Sequence, residues 1–334
     1  MKRVLARGMV IAASLAVGGA LAEVLVRVVA PQVTMFPRYV ASSEYEIELA
    51  SNARIRHARG SRWAFVYTTN RLGRRGPWIS PEDAAGRPTV VALGDSFTFG
   101  VGVADDEVYT ARLQERLPDW VVVNGGLGGW GIDSQVKWYE HQGRSWSPQA
   151  VVLQFTANDP GDSDTGVASV DGGILRFHPY PHEKPLWQRW ISGSALLQRS
   201  HLFSLLRALG SGGGGAVTPP TQEERAAALR ARTESEERYV AFLQAFAETL
   251  RGSDTRLLFV SVTHHEGDAY EYDLATFPLI ETAVAELEEA GLLQFVELPL
   301  DPMAGAAGSP EGHQWGPEHH AWVAEALAAA LREG

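Results

Sequence analysis

Thr89-Val90-Val91-Ala92-Leu93-Gly94-Asp95-Ser96-Phe97-Thr98-Phe99-Gly100 is the stretch on which the fold turns. Its first five residues are apolar or β-branched without interruption, as in a parallel strand buried on both faces. The run stops at Gly94-Asp95-Ser96, a turn-forming triplet that carries a hydroxyl. Two similar runs follow. Trp120-Val121-Val122-Val123-Asn124 leads into Gly125-Gly126-Leu127-Gly128-Gly129-Trp130-Gly131, and Ala150-Val151-Val152-Leu153-Gln154-Phe155 leads to Asn158-Asp159. The segments between, 108–117 and 132–142, read as helices. Further on, 256–262 and 293–298 read as a fourth and a fifth strand. Helices are expected over 221–251, where Thr221 and Glu224 have capping-box spacing, over 278–290 and over 318–332. This alternation predicts one α/β domain, a three-layer sandwich around a central parallel sheet.

The remaining chain is less regular. Residues 32–87 are polar and irregular, with one short strand at 63–67 and a loop at 69–76, and are expected to form an extension packed on a domain at 88–334. An insertion at about 160–220 interrupts that domain; Gly210 to Gly215 is almost all glycine, and Pro219-Pro220 follows. The insertion is the expected seat of specificity. Composition sets outer limits. With 334 residues, 45% hydrophobic and 21% charged, the chain is neither disordered nor fibrous. A net charge of −11 argues against nucleic acid as partner. The absence of cysteine excludes disulfides, thiolate metal sites and a thiol nucleophile.

At the N-terminus, Lys2, Arg3 and Arg7 precede an apolar run from Gly8 to Ala22. Such charges stay on the cytoplasmic side, so the rest of the chain is expected outside the cytoplasmic membrane. Two readings of residues 1–31 compete. Ala20-Leu21-Ala22 offers a small-x-small cleavage site before Glu23, as in a signal peptide. Alternatively the helix continues to Pro31 as a signal anchor, with a span of about 20 residues. Glu23 is the difficulty for the anchor, because a carboxylate in a membrane is costly.

The carboxyl ends of parallel strands share one edge, where ligands bind. Ser96, Gly129 and Asn158 all arrive there. A serine hydroxyl is a candidate nucleophile once an imidazole takes its proton. His313, in Ser309-Pro310-Glu311-Gly312-His313-Gln314-Trp315-Gly316-Pro317-Glu318-His319-His320, is the expected base, with His320 as the alternative. The backbone N–H groups of Ser96 and Gly129 and the Asn158 amide suit an oxyanion hole. His264 and His265 follow the fourth strand and are expected, with Trp130, to line the substrate; Trp187 and Trp190 are further aromatic candidates. His178, His182 and His201 add no metal-ligand spacing, so no metal is expected. Gly125 to Gly131 lacks the Lys and Ser/Thr of a phosphate loop and the dinucleotide spacing, so no cofactor is expected either.

These four blocks, in this order, resemble the SGNH/GDSL hydrolase superfamily. The resemblance covers residues 88–160 and 256–333. Glu23 and Arg27 near the end of the first helix, with Asn70-Arg71-Leu72-Gly73-Arg74-Arg75, also resemble a bacterial membrane-anchored branch. It implies a flavodoxin-like fold and a serine esterase acting through an acyl-enzyme. The implied substrate is an acylated small molecule or polysaccharide, with acetylated envelope carbohydrate in the periplasm as the expected class and O-acyl transfer as the variant chemistry. Two departures stand out. An aspartate three residues before the base is usual, but position 310 is Pro. Glu311 could orient His313, Asp301 could reach in, or a backbone carbonyl could leave a Ser–His dyad. Thr156-Ala157 also precedes Asn158 where a glycine is more usual. The missing aspartate motivates an alternative: a non-catalytic carbohydrate-binding or scaffold protein on a degenerate fold of this type.

Overall fold

The computed structural model describes every residue except 1, 183–184, 186–189, 192–193, 211–221, 267–268 and 334. Its centre is a five-stranded sheet of β1 (Thr89–Leu93), β2 (Val121–Asn124), β3 (Ala150–Phe155), β4 (Arg256–Ser261) and β5 (Gln294–Phe295). The spatial order is β2-β1-β3-β4-β5, and every neighbouring pair is parallel. This is the flavodoxin-like order, which reverses direction between β1 and β3 and opens a crevice there.

Strand periodicity sorts the core into two layers. Val90, Ala92, Val152, Leu258 and Val260 pack on one face with Tyr109 and Leu113 of helix Tyr109–Arg116 and Leu327 of helix Pro317–Glu333. Val91, Leu93, Val151, Leu153 and Phe259 pack on the other with Val136 of helix Ile132–His141, Phe246 of helix Gln222–Leu250 and Ile280 of helix Pro278–Glu289. Each Val, Leu, Ile or Phe side chain among these contributes about 1.5–3 kcal/mol on leaving water.

Three regions differ from the sequence reading. The expected fifth strand at 293–298 is only two residues long, because the Tyr272 hydroxyl takes over the Leu298 N–H at 2.8 Å, where a ladder partner would be. Residues 32–87 are not irregular. Val33–Phe36, Arg54–Arg59 and Trp63–Thr68 form an antiparallel sheet, and Val40–Ser42 pairs with Glu46–Glu48. The middle strand escapes a sequence reading because one of its inward positions is a histidine: buried His57 meets the Tyr67 hydroxyl at 2.9 Å. In the insertion, Ala168–Asp171 pairs with Ile174–Phe177, and helices Ala195–Arg199 and His201–Gly210 follow. Residues 211–221, including the Thr221 cap, and Trp187 lie outside the described residues. The N-terminal helix runs unbroken over Lys2–Val29, past Ala22, and its Arg3–Val29 portion, with an 18-residue window of mean hydropathy 2.1, is long and apolar enough to cross a membrane.

Candidate active site

The nucleophile turn is built from its own residues. β1 ends at Gly94, whose φ of 155° and crowding would put a methyl group 2.2 Å from Thr98 Oγ1. Asp95 then caps a single helical turn, Ser96–Phe99, its Oδ1 accepting the Phe97 N–H at 3.0 Å. The turn is locked from behind by Thr98 Oγ1 against Tyr109 Oη at 2.9 Å and by Asn124 Nδ2 donating to the Thr98 carbonyl at 2.7 Å. Ser96 is thereby half-buried at the crevice, its hydroxyl 3.1 Å from Asp95 Oδ2.

His313 comes from the loop before the last helix, with Nε2 3.0 Å from Ser96 Oγ. Its ring lies on Phe97, centroids 3.9 Å apart. Burial pushes its pKa down to about 4, so the imidazole is neutral at neutral pH. Its Nδ1 is buried and has no hydrogen-bond partner among the described residues.

The structure does not bring the expected acids to that atom. The turn is closed by Ser309 N–H to the His313 carbonyl at 2.9 Å and by Glu311 N–H to Ser309 Oγ at 3.2 Å. Ser309 Oγ is tied to the Gly102 carbonyl at 2.7 Å, and the Glu311 Cβ sits beside Gly102, where a methyl on that glycine would meet it at 3.4 Å. The Glu311 carboxylate instead accepts the His313 backbone N–H, and its charge also reaches Tyr39 and Tyr67, whose hydroxyls are pushed up to about 12, chiefly by burial. Asp301 is exposed in the short helix Leu300–Ala304. His320 is also placed elsewhere. It is fully buried, and its Nδ1 accepts the Tyr109 N–H at 3.2 Å, so it braces the helix that backs the nucleophile turn.

The glycine loop passes beside Ser96. Gly129 has a φ of 84°, which favours glycine, and its N–H has no backbone acceptor among the described residues. Asn158 Nδ2 lies 3.4 Å from Asp95 Oδ2 and 2.6 Å from Asp162 Oδ2. Carboxylates this close oppose a developing oxyanion, but burial raises the pKa of Asp95 and, with the Asp95 charge added, raises that of Asp159 strongly.

A cleft of about 910 Å³ joins Ser96, Asn158 and His313 to His264 and His265. Both of these histidines stand on the hairpin Thr263–Glu266 with Ala269–Tyr272. His264 Nδ1 is held by buried Asp273 at 2.8 Å. Trp130, expected beside them, is instead buried, its Nε1 donating to the Ile47 carbonyl at 3.2 Å with Arg74 stacked over its face. His178 bonds Ser169, His182 packs edge-on to Tyr180, and His201 accepts the Gln32 N–H. Among the described residues no group of three or more His, Asp or Glu could hold a metal.

Two contributors were missed by the sequence reading. Arg75, buried, binds Asp105 at 2.8 Å and the carbonyls of Phe99, Gly100 and Val103, clamping the exit of the nucleophile turn. Its signal was the Asn70–Arg75 element, whose Asn70 Oδ1 accepts the Leu72 and Arg74 N–H groups. Tyr39 walls the glycine loop: a methyl on Gly128 would lie 2.5 Å from its hydroxyl and 3.4 Å from Ser96 Cβ. No pattern in residues 32–48 announces that contact.

A flavodoxin-like parallel sheet with a serine turned outward at its switch point is the architecture of one class of α/β hydrolases. The GDSL-like Lipase/Acylhydrolase family matches residues 92–333, and the chain belongs to that family of ester-hydrolysing enzymes. Among solved structures it is similar to the psychrotrophic esterase EstA from Pseudoalteromonas sp. (11% identity, 73% of this chain and 97% of that one, TM-score 0.42). It is also similar to a lipase/acylhydrolase from Enterococcus faecalis (12%, 74% and 96%, 0.40) and to the acetyl xylan esterase AlAXEase (15%, 73% and 99%, 0.39). Among curated proteins there is no match.

Proposed function

We propose that the chain is a membrane-anchored serine esterase working outside the cytoplasm, removing or transferring an O-acyl group, acetyl foremost, on envelope carbohydrate. The observation that carries this reading is the 3.0 Å contact between Ser96 Oγ and a neutral His313 Nε2 at the mouth of the cleft. Ser96 attacks the ester carbonyl while His313 takes its proton. The oxyanion is met by the N–H groups of Ser96 and Gly129 and by the Asn158 amide, which turns one hydrogen away from its carboxylate neighbours. His313 returns the proton to the leaving alcohol, and an acyl-enzyme remains. Water then completes hydrolysis, and a sugar hydroxyl in its place completes transfer. With no carboxylate at Nδ1, Ser96 and His313 act as a dyad.

An envelope substrate is supported by chain length. Tyr39 at the glycine loop lies ten residue steps beyond Val29, the last of the apolar helix. Fully extended they reach about 33–36 Å, so the site lies close to wherever that helix ends.

A serine-directed fluorophosphonate tests the reading. Labelling of the folded protein that disappears in Ser96→Ala is expected, together with acetate release from acetylated polysaccharide. Acetate release that falls while acetylated acceptor accumulates would identify transfer. The second reading, a non-catalytic carbohydrate-binding protein, is favoured by the unpartnered Nδ1 of His313 and the engaged Asn158 amide. Saccharide binding without any labelling would establish it.

A further inference from the structure

The N-terminal helix does not leave the rest of the chain at once. Glu23, awkward in a membrane segment, caps the helix His201–Gly210: it accepts the His201 N–H at 3.0 Å, the Leu202 N–H at 2.9 Å and the Ser200 hydroxyl at 2.7 Å. Arg27 pairs with it at 3.0 Å. The same segment is held again just beyond the helix. Gln32 N–H donates to His201 Nδ1 at 2.9 Å, Arg38 N–H donates to Gln198 Oε1 at 3.0 Å, and the Arg199 guanidinium lies 3.7 Å over the Phe36 ring. Residues 195–210 therefore form a collar around the end of the apolar helix.

The collar's outer surface is unusual for this molecule. Leu196, Leu206 and Leu209 are 58–79% exposed. Leu202, Leu205, Leu206 and Leu209 follow helical spacing, giving a single apolar stripe. The charge there is also inverted. In a chain of net charge −11, Arg27, Arg38, Arg56, Arg59, Arg199 and Arg207 gather at this end. Arg59 Nε donates to the Pro31 carbonyl, and burial and then the Arg207 charge lower the Arg38 pKa. His201 is lowered by burial first and then by Arg27, with Arg56 also contributing.

We propose that helices Ala195–Arg199 and His201–Gly210 form an interfacial seat on the bilayer, clamped to the anchor by Glu23, with the arginines meeting anionic phospholipid headgroups. The argument is continuity and charge. Exposed leucines run on from the apolar helix, and guanidinium groups flank them as they do in amphipathic helices lying in the headgroup region. Glu23 is tolerated because Arg27 and a helix N-terminus satisfy it. The seat rests on the membrane anchoring proposed above, and fixes the orientation of the catalytic cleft to the membrane.

The absence of cysteine makes the test direct, since any introduced cysteine is unique. Full-length Leu206→Cys and Leu209→Cys carry nitroxide labels in vesicles of phosphatidylcholine with and without phosphatidylglycerol; Leu279→Cys, on helix Pro278–Glu289, is the aqueous control and Leu15→Cys the anchor control. Collisions with oxygen against those with a water-soluble nickel chelate should place labels 206 and 209 about 5–10 Å below the phosphates, deeper when phosphatidylglycerol is present. Glu23→Ala should return both labels to water while label 15 stays immersed. Arg199→Glu with Arg207→Glu should abolish the phosphatidylglycerol effect. Labels 206 and 209 as aqueous as 279, with 15 immersed, would overturn the seat and leave the anchor standing. An aqueous label 15 would overturn both.

Discussion

The two halves of the candidate site are supported very differently. Ser96 sits on a turn fixed at every position: Gly94 by crowding, Asp95 by its cap, Thr98 by Tyr109 and Asn124, and the exit by Arg75. His313 has a well-held backbone but an imidazole whose far nitrogen has no hydrogen-bond partner among the described residues. One side is over-determined and the other is half-supported. In a serine hydrolase with a full triad, the acid fixes the tautomer of the base and stabilises the imidazolium. Here Phe97 and burial position the ring, and burial disfavours its charged form.

The largest expected effect tests the firm side. Ser96→Ala should reduce kcat for a model acetyl ester by on the order of 10⁴–10⁶ without lowering Tm, since the turn does not depend on the hydroxyl. Residual turnover above a hundredth of the parent rate would place the nucleophile elsewhere. Asn158→Ala comes next, with a fall of about 10²–10³ in kcat, the usual effect of one oxyanion donor. Asp162→Asn provides the contrast: it relaxes the 2.6 Å hold on the Asn158 amide and should raise kcat or leave it unchanged. A loss as large as that of Asn158→Ala would show that Asp162 orients the amide.

Gly94→Ala probes the scaffold. A methyl group forced 2.2 Å from Thr98 Oγ1 at a φ of 155° should cost about 3 kcal/mol, read as a lower Tm by circular dichroism. An unchanged Tm would mean that the turn is less constrained than the Ser96 side of the comparison requires.

The same asymmetry explains what could be read in the sequence. β1 to β3, the turn after each, and Ser96 were legible because backbone demands there are met by adjacent residues. Gly94 and Asp95 act within two residues of Ser96. The strands followed from uninterrupted apolar runs whose burial outweighs any local preference, whereas their flavodoxin-like order was implied only by the family resemblance. The orientation of Glu311 was not legible. Its distance of two residues from His313 suited an acid, but a turn closed by Ser309 and anchored on Gly102, about two hundred residues earlier, sets the carboxylate on the His313 backbone N–H and not on Nδ1. Trp130 was misread for a related reason, because an aromatic in a glycine loop gives no sign of the Ile47 carbonyl and Arg74 that bury it. Position in sequence identified what each strand end carries, while long-range packing decided where each side chain points.

The smallest expected effects test the weak side and so sharpen the comparison most. Glu311→Gln and Asp301→Asn should each slow turnover by less than about tenfold, against about 10⁴ for loss of a triad acid. A fall of that larger size in Glu311→Gln would mean that substrate draws the carboxylate to Nδ1 and that both halves become equally supported during turnover. The pH profile reads the same question without substitution. A base must be neutral to act. Burial disfavours the imidazolium of His313, and no carboxylate favours it, so its pKa lies at about 4, below the usual value of 6.5. The acid limb of kcat/KM for a neutral ester should therefore fall near pH 4, with full activity retained at pH 6. A carboxylate at Nδ1 acts in the opposite direction, stabilising the charged ring and raising the limb toward or above 6.5. A limb at that higher pH, moved down by Glu311→Gln, would restore the triad; one near 4, unmoved by the substitution, leaves Ser96 and His313 to work as a pair.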